Sequence, residues 1–253
     1  MGAKEHGMSI EFLSAYSGRF AGRRLCLTGT QEPELARLAR LCVSREPNIT
    51  SGLGWLLGGR WMLTCQHVVP ATDDIEGSSW LGNQTPSRVL NIYLEGQPDA
   101  IPAADWPVRA IRFSKPEQFL NERLVVLELA SPVHREGRLP EIAPAVGAAR
   151  SLVGAAHVPG LKCRLSMVEG LAFQSLKPYE CVVAPVPEGF GGAPTTGDSG
   201  GPILESADTA SRLCAIQNAV ALDKSNDPWA VAIPVGRALA WIQSVTGIRM
   251  EAP

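Results

Sequence analysis

Short apolar runs, separated by Gly, Pro or Asp, dominate the sequence from Asn48 onward and constrain the fold more than any other feature. The first group comprises ITSGLGWLLGG, RWMLTCQHVV, VLNIYLEG, VRAIRF and LVVLELASP, and the second comprises SLVGAAHV, CRLSMVEGLAF, ECVVAPV, GPILES, RLCAIQNAV and WAVAIPV. Runs of this kind between turn-forming residues are typical of β-strands. Gly59 and Arg60 separate the first two runs, which predicts a hairpin there. We therefore predict an all-β fold with two groups of strands.

Two segments have a helical period instead. Residues 31–43, QEPELARLARLCV, repeat apolar positions as one face of a helix does, although the end of this segment, LARLCVS, suits a strand equally well. Residues 234–246, PVGRALAWIQSVT, predict a closing helix with Pro234 in its first turn.

The order of these runs suggests three units. A linker-like stretch, HREGRLPEIAPAVGAAR, separates the two groups of strands. We expect an N-terminal extension over 1–44. A first strand domain follows over 45–138, and a second domain with the C-terminal helix spans 139–253.

Composition narrows the classes of partner and ligand. The formal net charge is −2, so no basic excess favours nucleic acid or an anionic membrane surface. No apolar run reaches the length of about 18 residues that a membrane-spanning helix needs, and the first residues do not resemble a signal peptide. We therefore expect a cytoplasmic protein without nucleic-acid or membrane partners.

The six cysteines are scattered and form no CxxC pair, which argues against a zinc site. Without a secretion signal, buried free thiols are favoured over disulfides. We expect no metal and no cofactor. The cysteines are Cys26, Cys42, Cys65, Cys163, Cys181 and Cys214.

In the segment TTGDSGGPIL, residues 195–204, glycines on both sides of Ser199 allow the backbone an unusually wide range of conformations. A plain glycine-rich turn would explain these glycines, but so would a catalytic nucleophile at Ser199. An oxyanion hole needs two converging backbone N–H groups, which Gly197 and Ser199 would supply. Gly200 and Gly201 would let a substrate backbone approach. A serine also needs a base, and His67, at the end of an apolar run in the first group, precedes Ser199 in a known triad order.

The motifs GDSGGP and LTCQHVV, taken together, resemble those of the trypsin/chymotrypsin-like serine proteases over residues 45–248. Leu63 to His67 fit the family pattern Leu-Thr-Ala-Ala-His with two substitutions. The resemblance implies two six-stranded antiparallel β-barrels, with Ser199 as nucleophile and His67 as base and then acid. It also implies that Asp198 helps to shape the loop around the nucleophile.

The third triad member departs from the family pattern. The family has an Asp directly before a strand of the type found in NERLVVLELASPV, and a gapless alignment puts Arg123 there. An Arg would oppose the imidazolium that must form. We expect Glu122 to fill the role, turned inward by a bulge or an inserted residue. The remoter alternatives are Asp99, Asp105, Asp73 and Asp74.

Other departures bear on regulation and specificity. The chain lacks the Ile-Val-Gly-Gly tetrad and the cysteine pattern of secreted members, so it resembles intracellular or bacterial members that are active without cleavage or are switched by a partner protein. By analogy with such members, the resemblance implies a docking or regulatory role for residues 1–44. By the same resemblance, Ala193 lies at the floor of the substrate pocket, with Asn218 and Val220 beside it. A preference for a small or apolar side chain before the scissile bond is implied.

The alternative to a serine endopeptidase is a catalytically silent module of the same fold that binds peptides or partner proteins.

Overall fold

The computed structural model describes the chain over the following residues, and the account below is confined to them. They are Glu11–Leu13, Leu38–Cys42, 52–69, Trp80–Leu81, Asn91–Leu94, 108–114, 123–132, Glu141–Ile142, Ser151–His157, Leu165–Leu176, Tyr179–Pro185, 198–206, Ser211–Leu222 and 228–249. Strands make up most of these residues.

The strands fall into two mainly antiparallel sheets. In chain order they are β1 (Glu11–Leu13), β2 (Leu38–Cys42), β3 (Gly52–Gly58), β4 (Trp61–Cys65), β5 (Trp80–Leu81), β6 (Asn91–Leu94), β7 (Val108–Phe113), β8 (Leu124–Leu129), β9 (Glu141–Ile142), β10 (Ser151–His157), β11 (Leu165–Leu176), β12 (Tyr179–Pro185), β13 (Pro202–Ser206), β14 (Ser211–Leu222) and β15 (Pro228–Pro234). The first sheet has the order β5-β7-β8-β4-β3-β2-β6. The second has the order β1-β14-β13-β10-β11-β12-β15, with β9 parallel to β14. The predicted all-β fold with two groups of strands is confirmed.

The hairpin predicted around Gly59 and Arg60 joins β3 to β4. Gly59 has a φ of 55°, a left-handed value that favours glycine at this turn. The backbone oxygen of Arg60 accepts a hydrogen bond from Leu129 N at 2.8 Å, and its guanidinium lies 3.7 Å from the Glu128 carboxylate. The turn is thereby tied to β8, the neighbour of β4.

The helical interpretation of 31–43 is wrong over Leu38–Cys42, where the strand alternative holds. These residues form β2, which pairs with β3 on one side and with β6 on the other. Hydrogen-bonding partners on both sides satisfy the backbone along the strand, and such tertiary pairing overrides a weak helical period. Both strands within the predicted extension join a sheet, because β1 pairs with β14.

The predicted closing helix is present, but it begins later than its sequence pattern suggests. Pro234 ends β15, a short 3-10 turn covers Val235–Ala238, and helix α1 spans Leu239–Thr246. Gly247 ends the helix with a φ of 69°, and its N–H bonds to the Gln243 oxygen at 2.9 Å. A left-handed glycine is a common way to satisfy the last carbonyl groups of a helix.

One apolar cluster contains side chains from both sheets and from helix α1. For example, Leu53 and Leu63 come from the first sheet, Ile216 and Ile233 come from the second sheet, and Ile242 comes from the helix. Each such side chain stabilises the fold by about 1.5–3 kcal/mol when it is fully buried. This shared core fixes the position of the first sheet against the second.

Two thiols have described side chains, those of Cys65 and Cys214, and both are buried and outside any disulfide. The expectation of buried thiols rather than disulfides is confirmed for this pair. The side chains of the other four cysteines lie outside the described set. Separately, none of the helices in the described part of the chain is long and apolar enough to cross a lipid bilayer.

Candidate active site

A tight turn carries Ser199. The backbone oxygen of Asp198 accepts a hydrogen bond from Gly201 N at 3.0 Å, which closes a four-residue turn. Gly200, the third residue, has a φ of 84°, the value that a type II turn requires there and that glycine adopts without strain. Gly200 N donates to the Gln217 oxygen at 2.7 Å, and Gln217 N donates to the Gly201 oxygen at 2.9 Å. The turn is thereby fixed onto β14.

The same turn packs against the first sheet. Leu53 N donates a hydrogen bond to the Ser199 oxygen at 2.7 Å, which links β3 directly to the turn. A Cβ atom on Gly200 would collide with the Leu53 oxygen and with Thr64 Oγ1, and that hydroxyl itself donates to the Leu53 oxygen at 2.7 Å. The interpretation that Gly200 makes room for a substrate backbone is therefore wrong, because β3 and β4 occupy that space.

Gly200→Ala is expected to lower the free energy of unfolding by at least about 3 kcal/mol. The substitution combines a left-handed φ with a collision against backbone and a buried hydroxyl. Gly59→Ala is the matched control, since Gly59 also has a positive φ but nothing lies within 4 Å of its added Cβ. That control should cost about 1 kcal/mol. Urea denaturation of both variants measures the difference, and equal losses would contradict the close packing at Gly200.

His67 lies on a short 3-10 turn, Gln66–Val68, directly after β4. Gln66 N donates to the Arg123 oxygen at 3.0 Å, so the residue before β8 lies beside this turn. The His67 side chain is exposed, whereas Val68 is fully buried. A Cβ atom on Gly52 would collide with both the Val68 side chain and the Ser199 oxygen. Gly52 therefore lies between the turn of Ser199 and the residue that follows His67.

The two side chains expected to react have other neighbours in this conformation. Ser199 Oγ donates a hydrogen bond to the backbone oxygen of Asn218 at 3.0 Å. Cys65 Sγ lies 3.8 Å from Nδ1 and 4.0 Å from Nε2 of the His67 ring. Among the described residues, the Ser199 N–H donates no hydrogen bond.

Asn218 has a side chain that combines burial with an unpaired donor. It is 3% exposed, and its Nδ2 atom has no hydrogen-bond partner within the described part of the chain. Gln66 Oε1, on the turn of His67, is likewise buried and without a partner there. A buried polar atom without a partner costs about 1–3 kcal/mol. Unpaired atoms of this kind are therefore found on the turn of His67 and on the strand beside Ser199.

For several predicted site residues, the structure describes only the backbone or does not describe the residue at all. Val220 belongs to β14, where it pairs with Leu13 of β1 and Ala230 of β15, but its side chain is not described. The remaining residues outside the described set are Glu122, Gly197, Ala193, Asp73, Asp74, Asp99 and Asp105.

Asp198 and Cys65 add to the site in different ways. Asp198 is fully buried, and its backbone oxygen helps to close the turn of Ser199; its expected role as an acid that shapes this loop stays a prediction. The contact of Cys65 with His67 was not anticipated from the sequence. The only signal was the spacing, since Cys65 precedes His67 by two residues at the end of an apolar run.

Comparison with known proteins adds no relative. No protein-family model matches the chain, and a search of curated proteins finds no matching sequence.

Proposed function

We propose that the protein is a serine endopeptidase that resembles the trypsin/chymotrypsin-like enzymes. The observation that carries this proposal is the contact between the Ser199 turn and the first sheet. The Leu53–Ser199 hydrogen bond joins this turn to β3, and an added Cβ on Gly52 of β3 would meet both the Ser199 oxygen and Val68, the residue after His67. This proximity of the two backbone segments supports a site in which a nucleophile and a base from separate parts of the chain act together.

The proposed reaction begins when the Ser199 hydroxyl turns from the Asn218 oxygen toward His67. The imidazole takes the hydroxyl proton as Ser199 Oγ attacks the scissile carbonyl carbon. The N–H groups of Ser199 and Gly197 stabilise the oxyanion that forms. His67 then gives the proton to the leaving amine, and an acyl-enzyme remains. Water, activated by the same imidazole, releases the carboxylic acid and restores the serine. None of these steps requires a metal or a cofactor.

The segment that precedes β8 supports Glu122 as the third member of the triad. Cys65 pairs with Leu124 in the β4–β8 ladder, and Gln66 N bonds to the Arg123 oxygen. The ladder ends there, because His67 lies on the 3-10 turn Gln66–Val68. Arg123 therefore lies beside the turn of His67, and Glu122 directly precedes Arg123 in the chain. We propose that the Glu122 side chain is turned toward the imidazole.

Strand pairing also supports the expected barrel in the second domain. The chain of pairings β14-β13-β10-β11-β12-β15 continues from β15 back to β14. Six strands joined in that order suit a six-stranded barrel, which we propose for residues 139–253. A comparable barrel for residues 45–138 follows from the family resemblance.

We further propose a cytoplasmic location, a protein or peptide substrate, and an activating partner protein as the trigger.

A preference for small or aliphatic residues before the scissile bond is expected. Ala193 at the pocket floor offers no carboxylate for Arg or Lys, and small apolar side chains fit such a pocket. Mass spectrometric profiling of a peptide library, with Ser199→Ala protein as the control, measures both the hydrolysis and the preference. Cleavage after Arg or Lys would contradict this specificity, and it would direct the search for a pocket acid to Glu188 or Asp223. If wild-type and control cleave equally, the endopeptidase proposal itself fails.

The second candidate function is a catalytically silent module that binds peptides or partner proteins. The hydrogen bond from Ser199 Oγ to the Asn218 oxygen favours it, because the hydroxyl proton is donated to a backbone oxygen rather than to a base in this conformation. Arg123, in place of the family's Asp, favours it as well. Under this hypothesis the protein binds peptides with the same affinity whether position 199 is Ser or Ala, and it cleaves none of them. Isothermal titration with uncleaved library peptides tests for this behaviour.

A further inference from the structure

We infer that the Asn218 side chain selects a hydroxyl on the substrate residue before the scissile bond, so that Thr is preferred there over Val, which has the same shape. The inference deepens the proposed function and rests on it for the identity of that substrate position. Its structural basis is the Nδ2 atom of Asn218, which is buried and has no hydrogen-bond partner among the residues that the structure describes. A donor of this kind is ready for an acceptor that a ligand brings.

Asn218 lies where the regular pairing of β14 is interrupted. Toward β15, the two steps from Gln217 to Ala219 correspond to a single step along the partner strand, so Asn218 is the extra residue of a β-bulge. On the opposite edge, the ladder with β13 ends at Ile216 and the ladder with β1 starts at Val220. Bulges are frequent beside active sites, where they change the direction of a side chain. The local backbone thus suits a residue that serves a ligand.

The contact between Asn218 and Ser199 identifies the part of the substrate that comes closest. Ser199 Oγ donates a hydrogen bond to the Asn218 backbone oxygen at 3.0 Å. In the proposed reaction, this Oγ attacks the carbonyl carbon of the residue before the scissile bond. A hydroxyl on the Cβ of that residue is only a few bonds from the attacked carbon. It therefore comes within reach of the Asn218 side chain once the Ser199 hydroxyl has turned toward His67.

Burial makes this donor more selective than an exposed one. A hydrogen bond usually contributes little net free energy, because it replaces bonds that both partners make to water. Asn218 is 3% exposed, so its side chain has given up most of its hydration before a ligand arrives. A Thr hydroxyl would satisfy the donor, whereas Val would fill the same volume and leave it unpaired. Sites that hydrogen-bond a substrate hydroxyl reject the analogue that lacks it far more strongly than apolar pockets discriminate by size.

Cleavage kinetics with paired peptides on the full-length chain test the inference. The probe is a hexapeptide library in which each sequence occurs twice, with Thr and with Val at one otherwise identical position. For the residue before the scissile bond, wild-type kcat/KM should be at least about tenfold higher with Thr than with Val. In Asn218→Leu, which keeps a similar size and removes the donor, this ratio should fall to about one. Asn218→Ala replaces that variant if it does not fold.

The same exchange on the residue after the scissile bond is the matched control. Its Thr-to-Val ratio should be equal in the wild type and in Asn218→Leu, because that residue belongs to the leaving amine. A change confined to the first position would therefore come from the lost donor and not from a general loss of activity.

A second measurement does not depend on hydrolysis. Ser199→Ala protein is incubated with the same library, and the bound peptides are identified by mass spectrometry. We expect Thr peptides to be enriched over their Val partners at one position. The enrichment should disappear when the Ser199→Ala protein also carries Asn218→Leu.

Two results would overturn the inference. The first is a wild-type ratio near one before the scissile bond, and the second is a preference for Thr that persists in Asn218→Leu. If the wild type cleaves no peptide but Asn218 still determines the enrichment of Thr peptides, the endopeptidase proposal alone fails. A folded protein that neither cleaves nor binds any peptide of the library would overturn both.

Discussion

Ser199→Ala and His67→Ala are each expected to abolish peptide-bond hydrolysis, with kcat lower by a factor on the order of 10⁶. The nucleophile and its base act as a unit, so the loss of either removes nearly the whole effect. The double variant should therefore be no less active than either single one. Initial rates with a cleaved library peptide, measured at high enzyme concentration, give these factors.

The fold should survive both substitutions. His67 is exposed, and Ser199 is held in its turn by backbone hydrogen bonds that the Ala variant retains. Ser244→Ala is the matched control, since this exposed serine also donates its hydroxyl to a backbone oxygen, that of Trp241 at 2.7 Å. It should keep full activity. Substantial residual hydrolysis by folded Ser199→Ala would show that another group is the nucleophile.

Glu122→Gln is expected to reduce kcat by about 10⁴-fold with little change in KM. The third member of a triad orients the imidazole and stabilises its charged form, and an amide cannot provide the negative charge. Arg123→Ala should change kcat little, because we expect its side chain to point away from the imidazole if Glu122 fills this role. Steady-state kinetics on both variants, with matched thermal unfolding, separate the two adjacent positions.

The opposite outcome would also be informative. If Glu122→Gln is nearly silent, either one of the remoter aspartates completes the site or the enzyme works with Ser199 and His67 alone. In the second case, Arg123→Asp is expected to raise kcat by supplying the missing carboxylate. A large loss in Arg123→Ala together with a silent Glu122→Gln would contradict the assignment of Glu122.

Local sequence patterns predicted the features that depend on neighbouring residues. Apolar runs bounded by Gly and Pro gave the strands, and the Gly59–Arg60 hairpin followed from the break between two of them. The run Asp198-Ser199-Gly200-Gly201 predicted a special turn, and the positive φ of Gly200 agrees with that prediction. The segment at Leu38–Cys42 was ambiguous because an apolar run of five residues fits either period. Its pairing with β3 and β6 decided the outcome.

Contacts between distant parts of the chain could not be predicted in this way. The need for glycine at position 200 arises from Leu53 and Thr64, which belong to the other sheet. The bond from Ser199 Oγ to the Asn218 oxygen depends on how β14 lies beside the turn. The thiol of Cys65 reaches the His67 ring because β4 ends in a 3-10 turn there, and no sequence period signals such a turn.

The most direct test of the central claim is labelling of the full-length protein with a fluorophosphonate probe, because an activated serine attacks the phosphorus, displaces fluoride and forms a stable phosphonate ester. We expect one covalent adduct in the wild type, which peptide mapping by mass spectrometry places on Ser199. The adduct should be absent in Ser199→Ala and nearly absent in His67→Ala, while Ser244→Ala is labelled as the wild type is. Absence of any adduct on folded wild-type protein, alone and with a candidate partner protein, would contradict the claim and favour the silent binding module.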